Sequence, residues 1–77
     1  DLDGFDPAVV PATGTPEPGG LDWHQVTALL TRVAEQRRVV GFDVVELLPT
    51  PGQWASEFLA AKLVYSFLGQ ILAHRAV

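Results

Sequence analysis

Cysteine is absent from these 77 residues, and with it every disulfide staple and every thiolate metal site. Any metal held here must be held by oxygen or nitrogen donors. Methionine is absent too, so the sequence as written has no translation start and reads as an excised fragment or as part of a longer polypeptide. No basic segment followed by an apolar one opens the chain, so no signal peptide is expected, and the expected location is cytoplasmic. Positive charge is scarce: five Lys and Arg stand against nine Asp and Glu, for a net charge of −4. That balance argues against nucleic acid or an anionic membrane as partner. The longest apolar stretch, Phe58 to Leu72, is broken by Lys62, Ser66 and Gln70 and falls short of the roughly 20 residues that cross a bilayer.

Apolar residues, by contrast, are abundant. They make up 48% of the chain while charged residues make up 18%, below the average of about 25%. A chain of this length forms one domain at most and buries only about 60% of the surface its unfolded form exposes. Such an excess of apolar side chains implies that the rest of the core lies elsewhere.

Residues 4 to 20 carry Gly4, Pro7, Pro11, Gly14, Pro16, Pro18, Gly19 and Gly20, a density that excludes helix or central strand and predicts a long, stiff loop over residues 1–21. Loops of that length are usually functional or disordered, and the prolines favour function. Asp22 is a good N-cap for a helix over 22–36, whose Val26, Leu29, Leu30 and Val33 form one apolar stripe. Arg37 and Arg38 then suit the negative end of its dipole. Residues 38–48 form a near-continuous β-branched and aromatic run, which predicts a strand covered on both faces, as in parallel sheets. Pro49 and Pro51 end it. A last helix over 53–75 is apolar on most sides, apart from a stripe of Lys62, Ser66, Gln70 and His74, and is expected to be buried on several faces. Trp23, Trp54, Phe58, Tyr65 and Phe67 are expected in the core, whereas His24 and His74 read as helix-end residues. The order strand end, loop, helix, strand, helix is a βαβα piece of a layered α/β fold.

Chemistry concentrates at the start. If Asp1 to Asp3 end a strand, side chains at i and i+2 share one face about 7 Å apart, from which two carboxylates can lean toward a pair of cations roughly 3.5 to 4 Å apart. Oxygen ligands suit manganese or magnesium. A bland alternative is an acidic cluster that caps turns. An EF-hand fails because its sixth and twelfth positions would be Asp6 and Ala12. The string DLDGF also resembles the opening of haloacid-dehalogenase-type phosphatases, but the chain offers only Lys62 and no later acidic pair. TGTPEPGG lacks the GK[ST] of a phosphate cradle.

A longer pattern covers nearly the whole chain. Asp1, Asp3, Asp6 and Pro7 are followed by Pro11-Ala12-Thr13-Gly14-Thr15-Pro16, by Gly19-Gly20-Leu21, and, after the helix, by Gly41, Asp43, Glu46 and Pro49. This resembles the C-terminal metal-binding motif of the ureohydrolases, the arginase and agmatinase family. The resemblance implies a three-layer αβα sandwich with a parallel sheet, of which these residues form the C-terminal βαβα portion. It implies two Mn2+ ions in the complete enzyme, with Asp1 bridging both and Asp3 as a second carboxylate ligand. In that family a hydroxide between the ions attacks a guanidinium carbon and releases urea and an amine. Glu46 corresponds to the carboxylate that holds the guanidinium, a planar cation whose forked donors want such an acceptor. Thr15 is expected at the substrate, while Asp43 and Thr13 are expected to support it from behind the ligands; a turn-stabilising role for both threonines stays open. No catalytic residue is assigned to this segment, because the earlier ligand motifs and the proton-shuttling group are missing. Leu47-Leu48 replaces the Val-Asn of arginases before Pro49, which favours an agmatinase-like member.

The expected partners are a small guanidino substrate, the missing N-terminal part of the same enzyme, and further subunits of a homo-oligomer. On its own the segment is expected to be inactive. Two rivals stand beside this reading: a non-catalytic folding or assembly module that associates through its last helix, and, more weakly, a DxD-type phosphatase piece.

Overall fold

The computed structural model describes residues 1–75. Its order is a 3-10 turn (Leu2–Gly4), a long loop, helix α1 (Trp23–Gln36), an extended segment, and helix α2 (Ala55–Ala73). Helix α1 begins where its sequence offers a reciprocal cap. The Asp22 carboxylate accepts the Gln25 N–H at 2.8 Å, and the Gln25 side-chain oxygen accepts the Asp22 N–H at 2.9 Å. Two of the four N–H groups that a helix start leaves unpaired or exposed are satisfied this way. Helix α2 lies against α1 and begins after a tight turn at Thr50–Gln53, where Gly52 takes φ 82°.

Two small clusters hold the chain together. Leu2, Phe5 and Val10 from the N-terminal arm meet Leu63 of α2, with Trp23, Val26 and Leu30 of α1 packed beside them. Further along the helices, Ala34 meets Phe67 and Ile71, and Phe42 sets its ring edge-on to Phe67 with centroids 4.9 Å apart. Leu63, Phe67 and Ile71 recur every four residues, so they form one stripe of α2. Burying a side chain of this size stabilises by about 1.5–3 kcal/mol.

Three expectations change here. The run 38–48 forms no strand among the described residues, and most of it is exposed. A strand covered on both faces needs neighbours on both edges and layers above and below, whereas this segment has only scattered backbone bonds: Leu2 N–H donates to Val45 O at 3.0 Å, and Leu48 N–H to Ala12 O at 2.7 Å. The α/β class is thus visible as helices and two tied extended segments, not as a sheet. Helix α2 is buried on one side rather than several. Trp54, Phe58 and Tyr65 are 76%, 71% and 76% exposed, and Leu68 and Leu72 are also exposed. Finally, Asp1 to Asp3 lead into a 3-10 turn, in which successive residues are rotated by about 120°, so the shared face of a strand is not the geometry present. No helix among the described residues is long and apolar enough to cross a membrane.

Candidate active site

The loop between Asp6 and Leu21 is ordered by bonds to its own ends. Leu21 N–H donates to Gly4 O at 3.0 Å and Asp6 N–H to Leu21 O at 2.9 Å, so the loop leaves and returns at one place. Gly20 is required there by space: a β-carbon on it would lie 2.5 Å from the Asp6 nitrogen. Asp6 bonds across this neck. Its carboxylate accepts the N–H groups of Ala8 at 2.9 Å, Gly19 at 3.0 Å and Gly20 at 3.3 Å. The Ala8 N–H, joined by those of Gly19 and Gly20, holds the Asp6 carboxyl below its ordinary value, and partial desolvation opposes them.

Further round the loop, Ala12 is buried and tied on both sides. Its N–H donates to the Ser56 hydroxyl at 3.3 Å, at the start of α2, while its carbonyl accepts from Leu48. Ser56 is 2% exposed, and nothing in the sequence reading singled it out; an alcohol in the first turn of an apolar helix was the only signal. Thr13 is 7% exposed, and its hydroxyl has no hydrogen-bond partner. Thr15, on the exposed side, donates its hydroxyl to Asp3 Oδ2 at 2.8 Å.

The expected residues therefore fall into three relations. Asp3 and Thr15 are joined directly. Glu46 comes near the aspartates through the backbone, because the Leu2–Val45 hydrogen bond places it one residue beyond one end of that bond, with Asp1 and Asp3 flanking the other. Asp43, expected inside an apolar run, is exposed and lies with Asp1 on the rim of an apolar groove of about 340 Å³ floored by Leu2, Phe5, Leu63 and Phe67. It therefore bears none of the cost of a buried charge. A larger hollow of about 530 Å³, between the C-terminal ends of the helices, contains none of the expected site residues. Glu46 carries φ 71°, and it is the only non-glycine residue with positive φ among those described. No pattern in the sequence announces that conformation.

Asp1 and Asp3 fit a hard, oxygen-preferring cation in chemistry, since both are carboxylates on an open turn and one Asp3 oxygen is already held by Thr15. They are not a complete centre. Among the described residues no group of three or more His, Asp and Glu converges as a metal site.

Comparison with known proteins shows the family. The family model described as "Arginase: Arginase family" matches residues 1–69. An N(1)-aminopropylagmatine ureohydrolase of Synechocystis sp. is 46% identical over 69 residues, which are 90% of this chain and 22% of that protein. An agmatinase of Pyrococcus horikoshii is 39% identical over 69 residues, covering 90% of this chain and 24% of the agmatinase. Among solved structures, the crystal structure of the agmatine ureohydrolase of Thermoplasma volcanium superposes with a TM-score of 0.82 at 43% identity, over 94% of this chain and 24% of that one. This chain thus spans about a quarter of the length of these relatives, and through residues 1–69 it belongs to the arginase family.

Proposed function

We propose that this chain is the C-terminal part of a binuclear-manganese amidinohydrolase that hydrolyses an agmatine-like guanidino compound to urea and an amine. The observation that carries this reading is the single seam at Leu2 and Val45, which puts Asp1 and Asp3 on one side and Glu46 on the other. In the reading, Asp1 and Asp3 supply two carboxylate ligands, and Glu46 accepts the forked N–H groups of the guanidinium. When bound, the metal pair supplies Lewis-acid activation of the water that attacks the guanidinium carbon. Thr15 holds Asp3, so its role shifts from substrate contact to ligand orientation. The unpartnered Thr13 hydroxyl fits a segment completed by other residues, since a buried hydroxyl without a partner costs about 1–3 kcal/mol. Those residues are the remainder of the enzyme, and further subunits of a homo-oligomer are its other partners. The phosphatase alternative finds no support in the family match.

The test is urea release from agmatine, with manganese, by the intact polypeptide together with the remaining part of an arginase-family domain. Glu46→Ala is expected to lower kcat/KM on the order of 100-fold, as loss of a charged hydrogen-bond acceptor does. Undiminished agmatine turnover in that variant would remove Glu46 from the substrate. A second reading, a non-catalytic assembly module, is favoured by one observation: the exposed apolar face of α2. It predicts self-association with no urea from any guanidino compound tried.

A further inference from the structure

Asp6 has no place among the ligands or the substrate contacts just proposed, yet its side chain is the most heavily hydrogen-bonded of the acidic groups in the described residues. One oxygen accepts from Ala8 at the loop's exit, and the other accepts from Gly19 and Gly20 at its return. The backbone repeats the closure, with Asp6 N–H donating to Leu21 O at 2.9 Å and Leu21 N–H to Gly4 O at 3.0 Å, while Val9 and Val10 N–H groups turn the outgoing arm on Asp6 O at 2.8 and 3.0 Å. Gly20 lies too close to Asp6 for any other residue. Between the two pinned arms lies Thr15, exposed, with a hydroxyl that reaches Asp3. The nearest other ties to that stretch are those of Ala12, to Ser56 and Leu48. A long loop loses its shape entropically unless its ends are tied; here backbone bonds between Asp6 and Leu21 close the neck, and one carboxylate ties the two arms just beyond it.

We propose that Asp6 is a positioning residue for Asp3. By pinning both arms of residues 7–20 it keeps the Thr15 hydroxyl on one carboxylate oxygen of Asp3, and so fixes which oxygen is left for a cation. The inference rests on the function proposed above for Asp3, but its geometry is independent of any metal. Direction matters in this arrangement: loss of Asp6 frees Thr15, whereas loss of the Thr15 hydroxyl leaves the neck of the loop closed.

Nuclear magnetic resonance on the full 77-residue chain reads both ends of the relay. Asp6→Asn is expected to speed amide exchange at Gly19 and Gly20 at least tenfold. It should also move the Asp3 side-chain carboxyl ¹³C resonance to the position seen in Thr15→Val. Thr15→Val should move Asp3 while Gly19 and Gly20 stay protected, and Thr15→Ser should restore the wild-type Asp3 resonance. Amides of α1 should exchange at wild-type rates throughout, which separates positioning from general loss of structure. If Asp6→Asn does not fold, the two Thr15 variants and Asp6→Glu carry the same comparison. An Asp3 resonance unmoved by the loss of Asp6, or Gly19 and Gly20 released by Thr15→Val, would overturn the proposal. Manganese titration of the chain together with the remaining part of an arginase-family domain is scored separately. Weaker binding in Asp6→Asn and Thr15→Val, on the order of tenfold, is expected. No binding by the wild type, with Asp3 still following Asp6, would sink the proposed function and leave the positioning role standing.

Discussion

Glu46 holds its backbone at φ 71°, a conformation that costs a residue with a β-carbon on the order of 1–3 kcal/mol. Strain of that kind persists where surrounding structure fixes it, and here the neighbouring Val45 carbonyl is bonded to Leu2 while Leu48 is bonded to Ala12. Glu46→Gly is therefore expected to stabilise the chain by about 1 kcal/mol, seen as a higher urea midpoint, while removing guanidinium binding in the complete enzyme. A lower midpoint would mean that the carboxylate itself holds the turn. Gly20 presents the opposite case. Its φ is ordinary, and only proximity to Asp6 demands glycine. Gly20→Ala must push two backbone segments apart, at a cost of about 1–3 kcal/mol, and an unchanged midpoint would contradict that close approach.

At the scale of elements, α1 depends on its cap and α2 on its stripe. Asp22→Ala removes the carboxylate that accepts Gln25 N–H and is expected to cost about 1 kcal/mol, with Asp22→Ser recovering most of it. Leu63→Ala, which empties the centre of the larger cluster, is expected to cost about 2–5 kcal/mol. Thermal melts followed by circular dichroism rank the two. These elements were legible in the sequence because capping and a spacing of three and four are local facts. The cap at Asp22 and the stripe through Val26 and Leu30 need no distant partner to be recognised. Residues 38–48 were not legible in the same way, because a strand is defined by neighbours, and β-branched residues without neighbours stay extended and exposed. The shared face that a strand would give Asp1 and Asp3 is absent for the same reason, since Asp1 leads into a 3-10 turn. The joint motif marked Thr13, Thr15 and Glu46, but it held no sign that Thr15 bonds Asp3 or that Asp6 ties the loop's two arms.

The whole molecule carries nine acidic side chains against five basic ones. Asp6 is the acidic group whose folded form is tuned toward ionisation, by the Ala8, Gly19 and Gly20 N–H donors. A carboxyl with a depressed folded value adds stability above its ordinary value of 3.8, and that contribution is lost as the pH falls through the depressed folded value. The loop should thus open in acid below pH 3.8, read as loss of Gly19 and Gly20 amide protection, and Asp6→Asn should abolish this acid step. A step unchanged in that variant would assign it to other carboxylates.

Surface composition leads to the last expectation. Phe58, Tyr65, Leu68 and Leu72 lie at intervals of seven, three and four along α2, and together they make an apolar stripe opposite Leu63, Phe67 and Ile71. A contiguous exposed stripe of this kind marks an interaction surface or an association liability. The chain alone is therefore expected to self-associate at micromolar concentrations, in sedimentation velocity, and Tyr65→Glu with Leu68→Glu should return it to monomer with helix content retained. The substitutions leave the buried stripe and the loop untouched, so a loss of helicity would show that α2 depends on contacts beyond α1. A monomeric wild type would show that its own copies do not cover this face. The remainder of an arginase-family domain would then be the cover to test, by adding it in trans and following quenching of the Trp54 and Tyr65 emission.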